Sequence, residues 1–170
     1  LFTTAKGLSG GLPQSALVGR RELMDIYAPN TMTSTHSGSP VASAGTAANI
    51  KFLKEHNMCQ EALRKGKIME EKLKALWKQF PERISYVSGI GMAWAVTFAE
   101  ADTHAIHPEF ALEVTKKCNE NGLTFFAAVG AGITMKLTPP LTIPDDALIE
   151  GLEAYATAVA EADAIMPAYK

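Results

Sequence analysis

Residues 3–20 read TTAKGLSGGLPQSALVGR, and the place of Lys6 in that run decides how the chain is understood. The apolar and β-branched residues of LFTTA before it predict the end of a buried strand, which would hand Lys6 to a loop. Gly7, Gly10, Gly11 and Pro13 then predict a shaped turn, and SALVG after it a second strand. A lysine in this setting is either a solvated charge before a turn or a nucleophile at a crowded site. The second reading has a physical basis: a desolvated ammonium loses its proton more readily, and neighbouring glycines let a flat ring approach closely. A nucleotide-binding P-loop is excluded, because there the lysine follows the glycines and opens a helix, whereas here the order is reversed. A GxGxxG pattern is also absent from this segment.

Working outward, RRELMDIYAPN predicts a helix that gives way to a loop at Pro29 and Asn30. TSTHSGSPVASA, residues 33–44, places hydroxyl side chains just ahead of an alanine-rich stretch. Ser34, Thr35 and the amides around them could cradle a phosphate at a helix entry. The same composition is also what helix capping requires, so both readings stand. From Pro40, the residues Ala42, Ala44, Ala47, Ala48, Ile50, Phe52 and Leu53 predict a buried helix.

QEALRKGKIMEEKLKALWKQF predicts a second helix, with Leu63, Met69, Leu73 and Leu76 or Trp77 on its packed face and its charges in water. Pro81 closes it. ISYVSGIGMAWAVTFA reads as β structure, turning or bulging at Gly89 and Gly91. Pro108 opens a helix with Phe110, Ala111, Val114 and Cys118 on one side, ended by Asn121 and Gly122. LTFFAAVGAGITMKLTPPL predicts two short strands around a glycine turn. Thr142 with Asp145 is a capping-box spacing before a last helix whose Leu148, Leu152, Tyr155 and Val159 share a face. Strands covered by helices make the C-terminal half a compact α/β unit.

Composition narrows the function. A chain of 170 residues, 47% hydrophobic and 20% charged, is that of an ordinary globular protein. A formal net charge of -2 without a basic cluster gives no reason to expect nucleic acid or an anionic membrane as partner. No apolar run approaches the roughly 20 residues of a membrane span, and no leader pattern opens the chain. Cys59 and Cys118 form no paired motif, and His36, His56, His104 and His107 show no metal-ligand spacing, so no metal is expected. These features together predict a cytoplasmic protein. The chain starts at Leu1 rather than methionine, which is read as truncation.

Taken in order, AKGLSGGLPQSALVGRRELMD, THSGSPVASA, GIGMAWAVTF and LTPPLTI before a helix resemble the C-terminal part of class III pyridoxal-phosphate aminotransferases, over essentially the whole chain. The resemblance implies an α/β chain of fold type I: residues 1–55 would end the large cofactor domain and begin the interdomain helix, and 56–170 would form the small C-terminal α/β domain. It implies that Lys6 forms a Schiff base with pyridoxal 5'-phosphate and shuttles the substrate proton. Thr35 would bind the cofactor phosphate across a homodimer interface, with Ser34 adding a contact, so that active sites are shared. The partners implied are an amino donor and a 2-oxo acid acceptor.

Two departures qualify this. Where glutamate-using relatives place an arginine for the substrate carboxylate, this chain has Lys136, a point charge in place of a planar fork. Lys136 would bind a carboxylate less selectively, or would simply face solvent from an edge strand. The family's aspartate for the pyridine nitrogen, its ring-stacking aromatic residue and its other phosphate loop would all precede Leu1, so transamination is assigned to the parent protein and not to this fragment. An aminomutase or decarboxylase on the same cofactor, or a non-catalytic dimerisation remnant, are the competing readings.

Overall fold

The computed structural model of this protein describes residues 1–32, 34–99, 105–126 and 132–166. Contacts divide the chain into two units, Leu1–Met58 and Cys59–Lys170.

In the first unit, β1 (Phe2–Thr4) and β2 (Ala16–Val18) pair antiparallel, Phe2 opposite Val18 and Thr4 opposite Ala16. Their connection contains a 3-10 turn at Lys6–Ser9. A one-turn helix, α1 (Arg21–Met24), follows, then α2 (Pro40–Glu55), which starts on a proline. Proline is tolerated there because the first helical N–H has no partner inside the helix. Two expectations fail here. β1 is not a buried strand: Leu1 and Phe2 are 77% and 62% exposed. Nor is α2 a buried helix, since Ala42 is its one buried residue. Composition predicted how these segments fold locally, but burial needs an opposing apolar surface, and little of one lies within Leu1–Met58 itself.

The second unit has such a surface. α3 (Met58–Gln79) leads to β3 (Ile84–Ile90) and β4 (Ala93–Phe98), then α4 (Pro108–Glu120), β5 (Thr134–Leu137) and α5 (Asp145–Ile165). The sheet is antiparallel in the order β3-β4-β5. On β4 the alternating Trp94, Val96 and Phe98 are buried, as a sheet with one packed face requires. They meet Met69, Leu73 and Leu76 of α3, Phe110, Val114 and Cys118 of α4, and Leu148, Leu152, Tyr155 and Val159 of α5 in one cluster. The expected helical stripes are therefore the core. Leu63 is the exception, at 46% exposed.

Local punctuation follows the expectation at Gly91 and departs from it at Gly89 and in two further places. The β3–β4 turn falls at Gly91, with φ of 55°, while Gly89 lies within β3 opposite Trp94 and the bulge sits at Ile84/Tyr86. α3 packs its backbone on that turn: a Cβ on Gly66 would lie 2.4 Å from the Gly91 carbonyl oxygen. Of the two strands expected between Leu123 and Leu141, β5 forms; Leu123–Phe126 are not in a strand, and residues 127–131 lie outside the described ones. Thr142 does not cap α5, whose N-cap is Pro144 without a side-chain bond. Asp145 is instead drawn to Arg64, whose two terminal nitrogens donate to its two oxygens at 2.7 Å.

Candidate active site

In the first unit, the residues with chemical potential belong to loops placed by α2. Lys6 opens the 3-10 turn with φ of 53°, a left-handed conformation that side-chain-bearing residues adopt at a cost of about 1 kcal/mol or more. Its side chain is exposed, and among the described residues its amine has no hydrogen-bond or ion-pair partner. The turn is held by the Leu8 N–H donating to the Ala5 carbonyl at 3.2 Å and the Gly10 N–H donating to that of Gly7 at 3.3 Å. A side chain from α2 completes the attachment: Asn49 Nδ2 donates to the carbonyls of Gly7 and Leu8, at 2.9 Å each. Asn49 carries no local sequence signal, because it is joined to the turn only by the fold.

Ser34 and Thr35 stand where the chain turns before α2. The Ser34 N–H donates to Ser37 Oγ at 3.1 Å, the two hydroxyls lie 3.0 Å apart, and the Ser37 N–H donates to the Ser34 carbonyl at 3.0 Å. Ser34 is thus engaged in its own turn. Thr35 is exposed and makes no hydrogen bond among the described residues, so its hydroxyl is available to an external acceptor. Neither residue caps α2, since the N-cap is Ser39 without a side-chain bond.

Lys136 lies in the second unit on β5, opposite Ala95, with its side chain exposed between the buried Met135 and Leu137. It lines a cavity of about 400 Å³ whose other walls include Phe125, Phe126, Pro140, Ile143 and Leu148. The loop that leaves β5 is clamped from α3. Lys65 is buried and donates its ammonium protons to the carbonyls of Leu141 at 3.0 Å and Ile143 at 2.6 Å. Beside it, Arg64 joins Glu61 and Asp145, and its guanidinium holds both carboxyls below the usual range. The sequence pattern puts Arg64 and Lys65 among the solvated charges of α3; both are fastened to a segment about 80 residues away (|i−j| of 81 and 76).

Deeper in this unit, burial pushes the Cys118 thiol up to about 12 and raises the Tyr155 hydroxyl well above its ordinary value. Both stay protonated at neutral pH and serve packing. Arg83 is buried with its Nε donating to Asp163 at 2.7 Å and its guanidinium 4.7 Å over the Phe110 ring. Among the described residues, no group of three or more histidine, cysteine or acidic side chains could hold a metal ion, and no helix is long and apolar enough to cross a membrane.

The chain as a whole is similar to known proteins. The family described as aminotransferase class-III matches residues 1–159. The 5-aminovalerate aminotransferase of Pseudomonas putida is 32% identical over 152 residues, covering 89% of this chain and 36% of that protein. A leucine/methionine racemase of Thermococcus litoralis is 33% identical over 164 residues, covering 96% of this chain and 36% of the racemase. Among solved structures, the ornithine aminotransferase of Plasmodium yoelii superposes with a TM-score of 0.82 at 29% identity, over 95% of this chain and 40% of that one. The chain spans about a third of the length of the curated relatives it matches.

Proposed function

The chain belongs to the class III aminotransferases, pyridoxal-phosphate enzymes of fold type I, and from that premise we propose that the full-length protein moves an amino group from an amino donor to a 2-oxo acid, with Lys6 holding the cofactor. The observation that carries this is the state of Lys6: an amine without a partner among the described residues, on a left-handed turn braced by α2. A lysine kept only for charge has no need of such a backbone. The residues present fit the cofactor in two respects, an amine free to react with an aldehyde and the unpaired hydroxyl of Thr35 for a phosphate oxygen.

When bound, pyridoxal phosphate supplies an aldehyde for the lysine and a conjugated ring that takes up the electrons of the broken Cα–H bond. Lys6 would anchor the cofactor and, once displaced by the substrate amine, carry the proton at its Nζ, first as base and then as acid. Thr35 would hold the phosphate, reaching into a partner subunit's site in a homodimer, with Ser34 shaping the turn that presents it. Lys136 would take the substrate carboxylate by charge alone. On this reading, residues 1–55 belong to a large cofactor domain and 56–170 to the small C-terminal domain of a cytoplasmic enzyme.

Borohydride reduction of the cofactor-loaded full-length protein should leave a pyridoxyl group on the peptide containing Lys6. Labelling of a different lysine overturns the assignment. A second reading is favoured by the likeness to a racemase: the same groups could return the proton to the opposite face of the substrate carbon. Product analysis separates the two, since transamination consumes a 2-oxo acid whereas racemisation yields the mirror-image amino acid without one.

A further inference from the structure

The turn that opens at Lys6 is held by a residue on a different element. Gly45 and Asn49 are four positions apart on α2 and so share a face. That face lies close against the turn: a Cβ on Gly45 would sit 2.8 Å from Leu12 Cδ1 and 3.5 Å from the Ser9 carbonyl oxygen. One helical turn further on, the Asn49 carboxamide directs its two N–H donors at the carbonyls of Gly7 and Leu8, at 2.9 Å each. These carbonyls belong to the two residues that follow Lys6, whose φ of 53° persists only where the surroundings over-determine it.

We propose that Asn49 is a positioning residue for Lys6: its carboxamide pins the turn to α2 and thereby fixes the direction in which the lysine amine is delivered to its carbonyl partner. This rests on the reading of Lys6 as the cofactor lysine. Without the two bonds, the backbone at Lys6 can relax toward an ordinary conformation, which swings the Cα–Cβ bond and with it the amine. A displacement on the order of 1 Å at a reacting group costs about a hundredfold in rate, and a partial relaxation correspondingly less.

The test uses the cofactor-loaded full-length protein with Asn49→Ala and Asn49→Asp. Alanine favours the helix, so the fold should survive the first change. Aspartate keeps the shape but replaces the donor with an oxygen facing two carbonyl oxygens. The expected result is a kcat lowered by about tenfold in the alanine variant and further in the aspartate variant, with KM for the amino donor within about twofold of wild type. The pH midpoint of the visible band of the lysine-bound cofactor should shift in both variants. A merely structural asparagine would lower the thermal midpoint and leave kcat and the spectral midpoint as in wild type, and that result overturns the proposal. If borohydride fails to label Lys6 in the wild-type protein, the underlying reading falls first. Labelled Lys6 with unchanged Asn49 variants removes the positioning role alone.

Discussion

The two units of this chain solve the problem of burial differently. In Cys59–Lys170, apolar side chains from three helices and a sheet close on one another, and Val96, Phe98, Phe110, Val114 and Tyr155 are fully inaccessible. In Leu1–Met58, Ala42 and Met58 are the buried apolar residues among those described, while Phe2, Ile26, Tyr27, Met32 and Val41 each expose more than half of their surface. Local structure forms in both, because strand pairing and helix hydrogen bonds need only neighbours in sequence or one partner strand. A core forms in one. The residues with catalytic promise, Lys6 and Thr35, stand in the unit without it, so their substitution should change chemistry where substitutions in the other unit change stability.

The sharpest way to break that contrast is Lys6→Ala in the full-length protein. In the role proposed for Lys6, loss of the proton carrier should cut turnover by about 10²- to 10⁴-fold and loss of covalent attachment by more, with the thermal midpoint of the cofactor-free protein unchanged. A large fall in that midpoint would mean that Lys6 is structural.

Next in size is Phe110→Ala in the second unit. Phe110 is fully buried, with Phe98 edge-on at 5.2 Å and Arg83 over its ring. Its truncation should cost about 3–5 kcal/mol by denaturant unfolding. A loss under about 1 kcal/mol would contradict a shared core.

Lys65→Met is a smaller, more local test. The methionine fills the stem's volume but leaves the Leu141 and Ile143 carbonyls without their donor, at about 1–3 kcal/mol. Unaltered stability would show that water reaches these carbonyls and that the clamp on the loop after β5 is dispensable.

The smallest effect concerns pH. Arg64 holds the Glu61 and Asp145 carboxyls below their ordinary range. Because the folded values are depressed, these groups contribute stability that is present above the unfolded carboxylate range of about 4 and lost as pH falls through the folded values. Arg64→Met should therefore lower stability slightly above that range, neutrality included, and leave it unchanged below the folded values, so that the acid limb flattens. An unchanged acid limb would remove the pair from the account.

The motifs that carry the family resemblance are local and were legible: the lysine before glycines, the hydroxyl-rich turn before an alanine helix, the paired strands, the proline loop. So were the packed stripes of α3, α4 and α5, since a period of 3.6 residues records which face meets a core. Other assignments missed for physical reasons. β1 and α2 have a composition that suits burial and are exposed within this chain, because composition does not say whether the opposing surface lies in the same stretch of sequence. Thr142 has the spacing of a cap, but Pro144 takes the N-cap and Asp145 turns to Arg64. Leu63 continues a stripe whose end runs past the core.

By itself, the sequence determined the family, the kinds of element and the candidate lysine, because each is written in residue types and spacings within a few turns of chain. Only the tertiary structure decided that Asn49 braces the turn of Lys6, that Lys65 and Arg64 hold the loop beyond β5, and which helices are covered. Those contacts join residues some 40 to 80 positions apart (|i−j| of 41 to 81), and no local pattern encodes a hydrogen bond whose partner is brought near only when the chain has folded.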